Sequence, residues 1–312
     1  MKIKKKGEKD DSACRSCSKA STCGSKTPSG ECSGDDKTAQ QDIRISSALS
    51  RIKYKLFVMS GKGGVGKSSI TVNLAAALAR KGYKVGILDV DLHGPSVPRM
   101  LGLSGNLEAN EKGEVSPKAC GENLYVVSME SLLKDPDQAV LWRGPMKTSA
   151  IRQFISEVQW GDLDFLVIDS PPGTGDEHMT VLRTIPDALC VVVTTPQEVS
   201  LADVRKAINF LQYAKANILG MVENMSGLIC PHCSKEIALF KKGGGKDLAA
   251  KYGIEFLGAV PLDPVTVVAG DVGRPVVLMD EPSPVKDALM ELAGNIDRAV
   301  QSSFEAHSTI NR

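Results

Sequence analysis

The sequence predicts an α/β fold built on a mostly parallel, doubly wound sheet with helices on both faces. Three observations carry that reading. About seven short apolar runs of strand length alternate with helical stretches, the pattern that βαβ crossovers produce. The first run passes through a glycine-rich loop directly into a helix. Two later runs, VGILDVD and FLVID, end in aspartates, and ligands of parallel sheets bind at the carboxyl ends of strands.

Residues 1–50 differ from the rest. Lys, Ser, Gly, Asp and Thr dominate and large apolar side chains are few. Such a segment cannot offset its ordering entropy by burial, so it is expected to be a flexible extension preceding the α/β domain over 51–312. It carries Cys14, Cys17, Cys23 and Cys32. Four thiols this close together can surround a tetrahedral zinc or a cubane cluster, and the spacing fits no standard zinc finger.

The stretch 53–82 organises the chain: KYKLFVMS as strand, GKGGVGKSS as loop, ITVNLAAALARKG as helix. The loop fits G-x-x-x-x-G-K-S/T, with Gly61, Gly66, Lys67 and Ser68 at the fixed places. Glycines let the backbone curl so that its N–H groups converge on an anion, and the helix start adds partial positive charge. Gly61, Lys62, Gly63, Gly64, Val65, Gly66, Lys67, Ser68 and Ser69 are therefore the expected cradle for the phosphates of ATP. Lys67 supplies a point charge to the outer phosphates, and the Ser68 hydroxyl is placed to ligate Mg2+. In the helix, Val72, Ala75, Ala76 and Ala79 form an apolar stripe that ends at Gly82.

VGILDVD follows as a buried strand with Asp89 and Asp91 at its carboxyl end. A carboxylate there can hold Mg2+ through water or polarise the attacking water, and a pair spaced by one residue suits both tasks. Gly94 and Pro95 turn the chain into a switch segment. Residues 104–123 are a polar excursion, 124–129 a strand, and LWRGPMKTSAIRQFISEV a loop that becomes an amphipathic helix. FLVID ends at Asp169, an arrangement in which the carboxylate takes the metal through water. Gly173 and Gly175 let the following loop lie close to a γ-phosphate. The run 188–196 is a buried strand in which Cys190 serves as a small hydrophobe, and VSLADVRKAINFLQYAKA is a long amphipathic helix. The run 218–227 is strand then loop, with Asn224 where a purine edge can be read. The run 256–264 is the last strong strand, and Pro261 and Asp263 in its terminal loop are expected to line the base pocket. The tail over 284–304 reads as a surface helix without the basic face of a membrane-lying one.

Composition narrows the partners. Lys and Arg number 38 against 37 Asp and Glu, so no global field favours nucleic acid, and aromatics at 4% supply few stacking platforms. The first residues lack an apolar core of the secretory kind, and no apolar run approaches about 18 residues. A cytoplasmic protein with neither nucleic acid nor membrane as partner is expected. Of the eight cysteines, Cys230 and Cys233 form C-P-H-C, and clustering in a reducing compartment favours metal over cross-links. Two thiolates fall short of the four ligands that zinc or a cubane takes, and His232 between them is poorly placed to close onto the same metal. A second copy of the chain, the N-terminal cysteines, or a redox role for the pair would each resolve the shortfall. A thioredoxin-like role fits poorly, because the motif trails a loop rather than opening a helix.

Lys62 gives the loop the form G-K-G-G-V-G-K-S, which resembles the deviant Walker A loop of the MinD, ParA and nitrogenase iron-protein group of P-loop NTPases. In that group the early lysine reaches across a dimer interface to the partner's nucleotide. The dimer-bridging resolution of the C-P-H-C shortfall agrees with it independently. With DVDLHGPSVPRMLG, WRGPMK, DSPPGTGDEH, VENMSG, CPHC, the GGG before Lys246, and VPLDP, residues from about 50 to 300 resemble the Mrp/ApbC family of iron–sulfur cluster carrier ATPases. The resemblance implies a homodimer that binds ATP and Mg2+, holds a 4Fe-4S cluster between two CPHC pairs, and passes it to apo iron–sulfur proteins with slow hydrolysis. It implies Lys62 as signature lysine, Asp91 as the water-orienting residue and Asp169 as the Walker B acid. The candidate catalytic set is then Lys62, Lys67 and Asp91, with Mg2+ at Ser68, Asp89 and Asp169. Cys14, Cys17 and Cys23 resemble the cysteine-bearing extension of eukaryotic cytosolic scaffold members, which implies a second cluster. Those members place a fourth cysteine well upstream, whereas here none precedes Cys14 and Cys32 follows instead, which leaves the fourth ligand open. Two other readings use the same motifs differently. A ParA/MinD-type positioning ATPase has no use for CPHC, and a zinc-stapled, non-catalytic scaffold suits four sulfurs equally well.

Overall fold

The computed structural model describes residues 33–91, 94, 96–111, 113–132, 144–230, 233 and 235–310. Cys14, Cys17, Cys23, Cys32, Pro95 and His232 lie outside the described residues. In chain order the first elements are α1 (Ser33–Ser50), β1 (Ile52–Ser60), α2 (Lys67–Arg80), β2 (Val85–Asp89), α3 (Val97–Met100), β3 (Lys118–Ala119) and β4 (Leu124–Ser128). Then come α4 (Gly144–Glu157), β5 (Leu163–Asp169), α5 (Asp176–Thr184), β6 (Leu189–Thr194) and α6 (Glu198–Tyr213). β7 (Asn217–Ile229), β8 (Glu236–Ile237), α7 (Gly244–Tyr252), β9 (Phe256–Leu262), α8 (Pro264–Asp271) and α9 (Pro284–Ile310) complete the chain.

β1 is the centre of the sheet, parallel to β5 on one side and β6 on the other. β2 and β4 continue beyond β5, and β7 and β9 beyond β6, all parallel. These are the seven strands that the apolar runs predict. β3 and β8 are added antiparallel at the periphery, and at two residues each they are too short to show a period. Along β1, Tyr54, Leu56 and Val58 enter the core that α2 and α9 cover, whereas Phe57 and Met59 enter the one under α4, α5 and α6. Alternate side chains of a strand point to opposite faces, so both faces of β1 are buried, as a parallel sheet requires.

Three segments differ from their sequence reading, each for a local reason. From Ser33 onward the supposed flexible extension is helix α1, held by buried Ile45 and Leu49 and by an Arg152–Asp42 ion pair to α4. Two apolar residues one turn apart make a narrow seam that a polar composition hides. α2 is buried nearly all round rather than along one stripe, because α9 lies beside it on the same face of the sheet, against β9, and joins its core with Leu289, Leu292, Ala293, Ile296 and Val300. The tail helix is accordingly half buried. Finally, β7 does not stop near Asn224 but continues to Ile229 through a bulge. Asn224 is opposite Val260 and Leu228 opposite Leu262, so four residues of β7 advance against two of β9. Met225 (φ 56°) and Gly227 (φ 77°) absorb the excess in the left-handed region.

The register sets up the functional edge. Ser128 is the partner of Asp89, Asp89 of Asp169, and Asp169 of Val58, so the ends of β4, β2 and β5 stand in one row at the carboxyl edge, beside β1. Phe154 is 1% exposed and joins α4 to the sheet beneath it. Phe154→Ala is expected to cost about 3–5 kcal/mol through lost transfer energy and the cavity left behind. A fall in the urea midpoint at unchanged slope reads this out, and an unchanged midpoint would contradict the packing described.

Candidate functional site

The glycine-rich loop leaves β1 and enters α2 through Gly66, whose left-handed φ of 79° lets the first helical N–H groups open toward the loop's interior. Two glycines are there for space. A Cβ on Gly61 would stand 2.4 Å from the Asp203 backbone on α6, and one on Gly66 would stand 2.2 Å from the Asn224 amide nitrogen. Ser60 donates its hydroxyl to the Lys62 carbonyl at 2.9 Å, while the Lys62 side chain is exposed at the lip of the loop without an ion-pair partner among the described residues. At the base of the loop, Lys67 Nζ lies 2.8 Å from Asp169 Oδ1 with both side chains buried. The hydroxyls of Ser68 and Thr71 donate to the same carboxylate at 2.6 and 2.7 Å. One carboxylate thus collects three donors from the first two turns of α2.

Asp89 stands beside this group, wholly buried, accepting from the Asp91 N–H at 3.0 Å and the Ser128 hydroxyl at 3.0 Å. Burial and then the neighbouring Asp169 carboxylate push the Asp89 carboxyl well above the usual carboxylate range, against the opposing pull of the Asp91 amide, Lys67 and Ser128. A divalent cation beside the two acids would oppose that shift and favour the ionised form of Asp89. Asp91 is buried two residues past the strand, and its Oδ1 accepts from the Gly94 N–H at 3.3 Å.

The loop after Asp169 is tethered at both ends. Gly173 donates its N–H to the Ser60 carbonyl at 3.2 Å, and Gly175 donates to His178 Nδ1 at 3.2 Å. Accepting at Nδ1 places the imidazole proton on Nε2, which is buried without a hydrogen-bond partner among the described residues. Burial pushes His178 down to about 4, against Glu177 and the Pro171 backbone, which pull it the other way. Glu177 is itself held below its ordinary value: burial raises it, but the 2.7 Å bond from Lys147 on α4 and the neighbouring charges outweigh that.

Beyond Asn224 opens a cleft of about 330 Å³ between the start of α2, the end of β9 and α8. Asn224, Pro261 and Asp263 all line it, together with Thr266 and, from α3, Arg99. Asn224 donates Nδ2 to the Val65 carbonyl at 2.8 Å, which leaves its own carbonyl oxygen as an acceptor. Asp263 caps α8 by accepting from the Val265 N–H at 2.9 Å, and Thr266 Oγ1 is buried there without a partner among the described residues. A flat, largely apolar slot with a few polar atoms suits a purine.

Past the bulge, β7 carries the chain outward to Cys230, whose N–H donates to the Lys235 carbonyl at 3.0 Å as β8 turns back. Cys230 is half-buried and Cys233 exposed, and neither is in a disulfide. Among the described residues no third Cys, His, Asp or Glu joins them to form a metal-holding group. Cys190 is wholly buried, and burial pushes its thiol up to about 12. The structure therefore gathers the loop residues, Asp89, Asp91 and Asp169 at one point, Asn224, Pro261 and Asp263 at a second, and the cysteine pair at a third along the same sheet edge. Sequence reasoning missed Thr71 and Ser128. Thr71 lies one helical turn after Lys67, and Ser128 ends a strand in register with Asp89; only the strand order reveals the second.

The family described as ParA, NUBPL iron-transfer P-loop NTPase, matches residues 51–297. An iron–sulfur cluster carrier protein of Methanocaldococcus jannaschii is 47% identical over 273 residues, 86% of this chain and 91% of that one. The cytosolic Fe-S cluster assembly factor NUBP2 of Bos taurus is 47% identical over 253 residues, 80% and 93% of the two chains. A nucleotide-binding protein from Archaeoglobus fulgidus, solved in complex with ADP, superposes with a TM-score of 0.68 at 39% identity, covering 79% of this chain and 96% of that one. The cell-division ATPase MinD of Pyrococcus furiosus shares the fold, with a TM-score of 0.58 at 24% identity over 78% and 98% of the chains.

His178 gives the site a pH signature. Its folded value of about 4 lies below the usual 6.5, so the unfolded chain takes the proton first as pH falls. Its contribution is complete above pH 6.5 and is lost progressively toward pH 4, about 3 kcal/mol in all at 1.36 kcal/mol per unit. His178→Gln is expected to flatten the stability–pH curve between those limits. Equal slopes for the two proteins in urea titrations at pH 4.5–7 would contradict a buried neutral imidazole.

Proposed function

The chain belongs to the ParA-group family of NUBPL iron-transfer P-loop NTPases, and from that premise we propose that it is an ATP-dependent carrier of iron–sulfur clusters. Two copies hold a 4Fe-4S cluster between their Cys230 and Cys233 pairs and hand it to apo iron–sulfur proteins of the cytoplasm. The single observation that carries the reading is the position of the cysteine pair. Two thiols, half the ligand set of a cubane, sit at the end of the strand that also lines the nucleotide cleft through Asn224. The names of the relatives, a cluster carrier and a cytosolic assembly factor, agree with it.

In this reading the backbone N–H groups from Gly61 to Ser69, with Gly63, Gly64 and Val65 at the turn, cradle the phosphates. Lys67 leaves Asp169 for the outer phosphates. Ser68, Asp169 and Asp89 would hold Mg2+, whose charge would favour the ionised form of Asp89 and draw electron density from the phosphate oxygens. Asp91 orients the attacking water, and Asn224, Pro261 and Asp263 frame the base. Lys62 reaches the partner's nucleotide, which fits its exposed position at the loop lip. Hydrolysis is slow and coupled to loading or release of the cluster. The domain over 51–312 carries this machinery, and Cys14, Cys17, Cys23 and Cys32 in residues 1–50 hold a second cluster.

Protein purified and reconstituted without oxygen should be brown, with iron and sulfide in equal amounts and about four irons per cysteine-pair cluster. Cys230→Ser should lose that cluster while keeping ATP binding. A colourless wild type that retains zinc but no sulfide would overturn the carrier reading in favour of a zinc-stapled scaffold. Lys62→Ala is expected to lower ATPase turnover by about tenfold or more, as removal of a charge aimed at the phosphates does elsewhere. Unchanged turnover would remove the lysine from the reaction.

A further inference from the structure

Glu223 is a carboxylate in an unusual place. Its side chain is fully buried, and no cation lies within ion-pair reach of it among the described residues. Three donors satisfy it instead. The Ser226 hydroxyl donates to Oε1 at 2.5 Å, the Gly243 N–H to the same oxygen at 2.8 Å, and the Gly245 N–H to Oε2 at 2.6 Å. Burying a carboxylate without a cation is costly, and donors of this number and shortness are what make it tolerable.

The origin of the donors is the informative feature. Ser226 lies on the outgoing limb of the chain toward the cysteines, in the bulge of β7. Gly243 and Gly245 lie on the returning limb, at the start of α7. Cys230 and Cys233 lie between, so one carboxylate closes both ends of the arm that carries them. The backbone is shaped to permit this. Met225 and Gly227 take left-handed conformations so that Ser226 turns inward, and Gly243 does the same at the return. A Cβ on Gly245 would meet Thr194 Cγ2 at 3.0 Å and Glu223 Oε2 at 3.1 Å. The next residue after Glu223 is Asn224, whose amide bonds the Val65 carbonyl inside the phosphate loop. One dipeptide therefore grips the nucleotide loop with one side chain and both limbs of the cysteine arm with the other.

We propose that Glu223 is a positioning residue that makes the geometry of Cys230 and Cys233 respond to the nucleotide. A shift of the phosphate loop that moves Asn224 also moves Glu223, and the three hydrogen bonds carry the shift to both limbs together. Coupling of this kind requires a link that both sites bias, and the Glu223–Asn224 pair supplies one. The role of the cysteines as cluster ligands rests on the reading above, but the mechanical link does not.

The test therefore uses the thiols themselves, in the full-length reduced protein without iron. Rates of iodoacetamide alkylation at Cys230 and Cys233 are measured by peptide mass spectrometry with and without Mg-ATP, with Cys120 as reference. In wild type the pair should change rate about fivefold or more on nucleotide binding, the lower end of ordinary coupling energies. E223Q keeps the shape but turns an NH2 group toward donors; it should bind ATP and show a response under about twofold. S226A removes one of the three donors, should give an intermediate response, and decides the matter if E223Q does not fold. A wild-type pair indifferent to nucleotide, or full responses in both variants, would overturn the proposal. A thiol response in a protein that binds no iron would sink the carrier reading and leave this link standing.

Discussion

The structure depends on one buried carboxylate. Asp169 ends β5 at 1% side-chain exposure and takes Lys67, Ser68 and Thr71 from the start of α2. An ion pair this deep repays its desolvation only if its geometry is good and the remaining lone pairs are filled, and here three donors meet that condition. The consequence is that the phosphate loop is set in position before any ligand arrives. In the proposed function a phosphate would compete with Asp169 for Lys67, and a cation would displace the Ser68 hydroxyl from the same carboxylate. The first exchange would trade one charged partner for another, and the second a neutral hydroxyl for a cation.

What surrounds that contact follows from parallel register. Three strand ends stand in one row beside β1, so the acids of β2 and β5 become neighbours although 80 residues separate them in sequence. On the other side of β1 the same edge carries Asn224 and, past a bulge, the cysteine arm. A bulged strand is well suited to this. Up to Asn224 it runs in the sheet between β6 and β9, and past the bulge it pairs again with β9 at Leu228 and with β8 at Leu228 and Ile229, with Ser226 bonded to Glu223 between. A single strand thus carries Asn224 at the cleft and leads on to the cysteine pair.

Much of this was legible in the sequence, for definable reasons. Backbone curvature in the phosphate loop depends on glycines at fixed places, so Gly61, Gly66, Lys67 and Ser68 declare themselves locally. Long apolar runs such as LCVVVT are buried on both faces and read as strands without ambiguity. Interactions closed over long separations were not legible. Ser128 against Asp89 depends on strand order, and Glu223 against Gly245 depends on where α7 returns. VENMSG looked like the end of a strand because Gly and Asn signal turns, and a bulge carries the same residues for the same conformational reason. The composition of α1 is polar enough to conceal a seam of only two apolar side chains, Ile45 and Leu49.

The central claim is that two chains complete one cluster and that nucleotide binds at the same edge. Native mass spectrometry of the anaerobically reconstituted, full-length protein in the presence of Mg-ATP measures both at once. The account predicts a particle of two chains whose excess mass includes a cubane of iron and sulfide, absent when both cysteines of the pair are replaced by serine. A particle of one chain that carries the full cluster, or a dimer whose cluster survives that replacement at the same site, would contradict it.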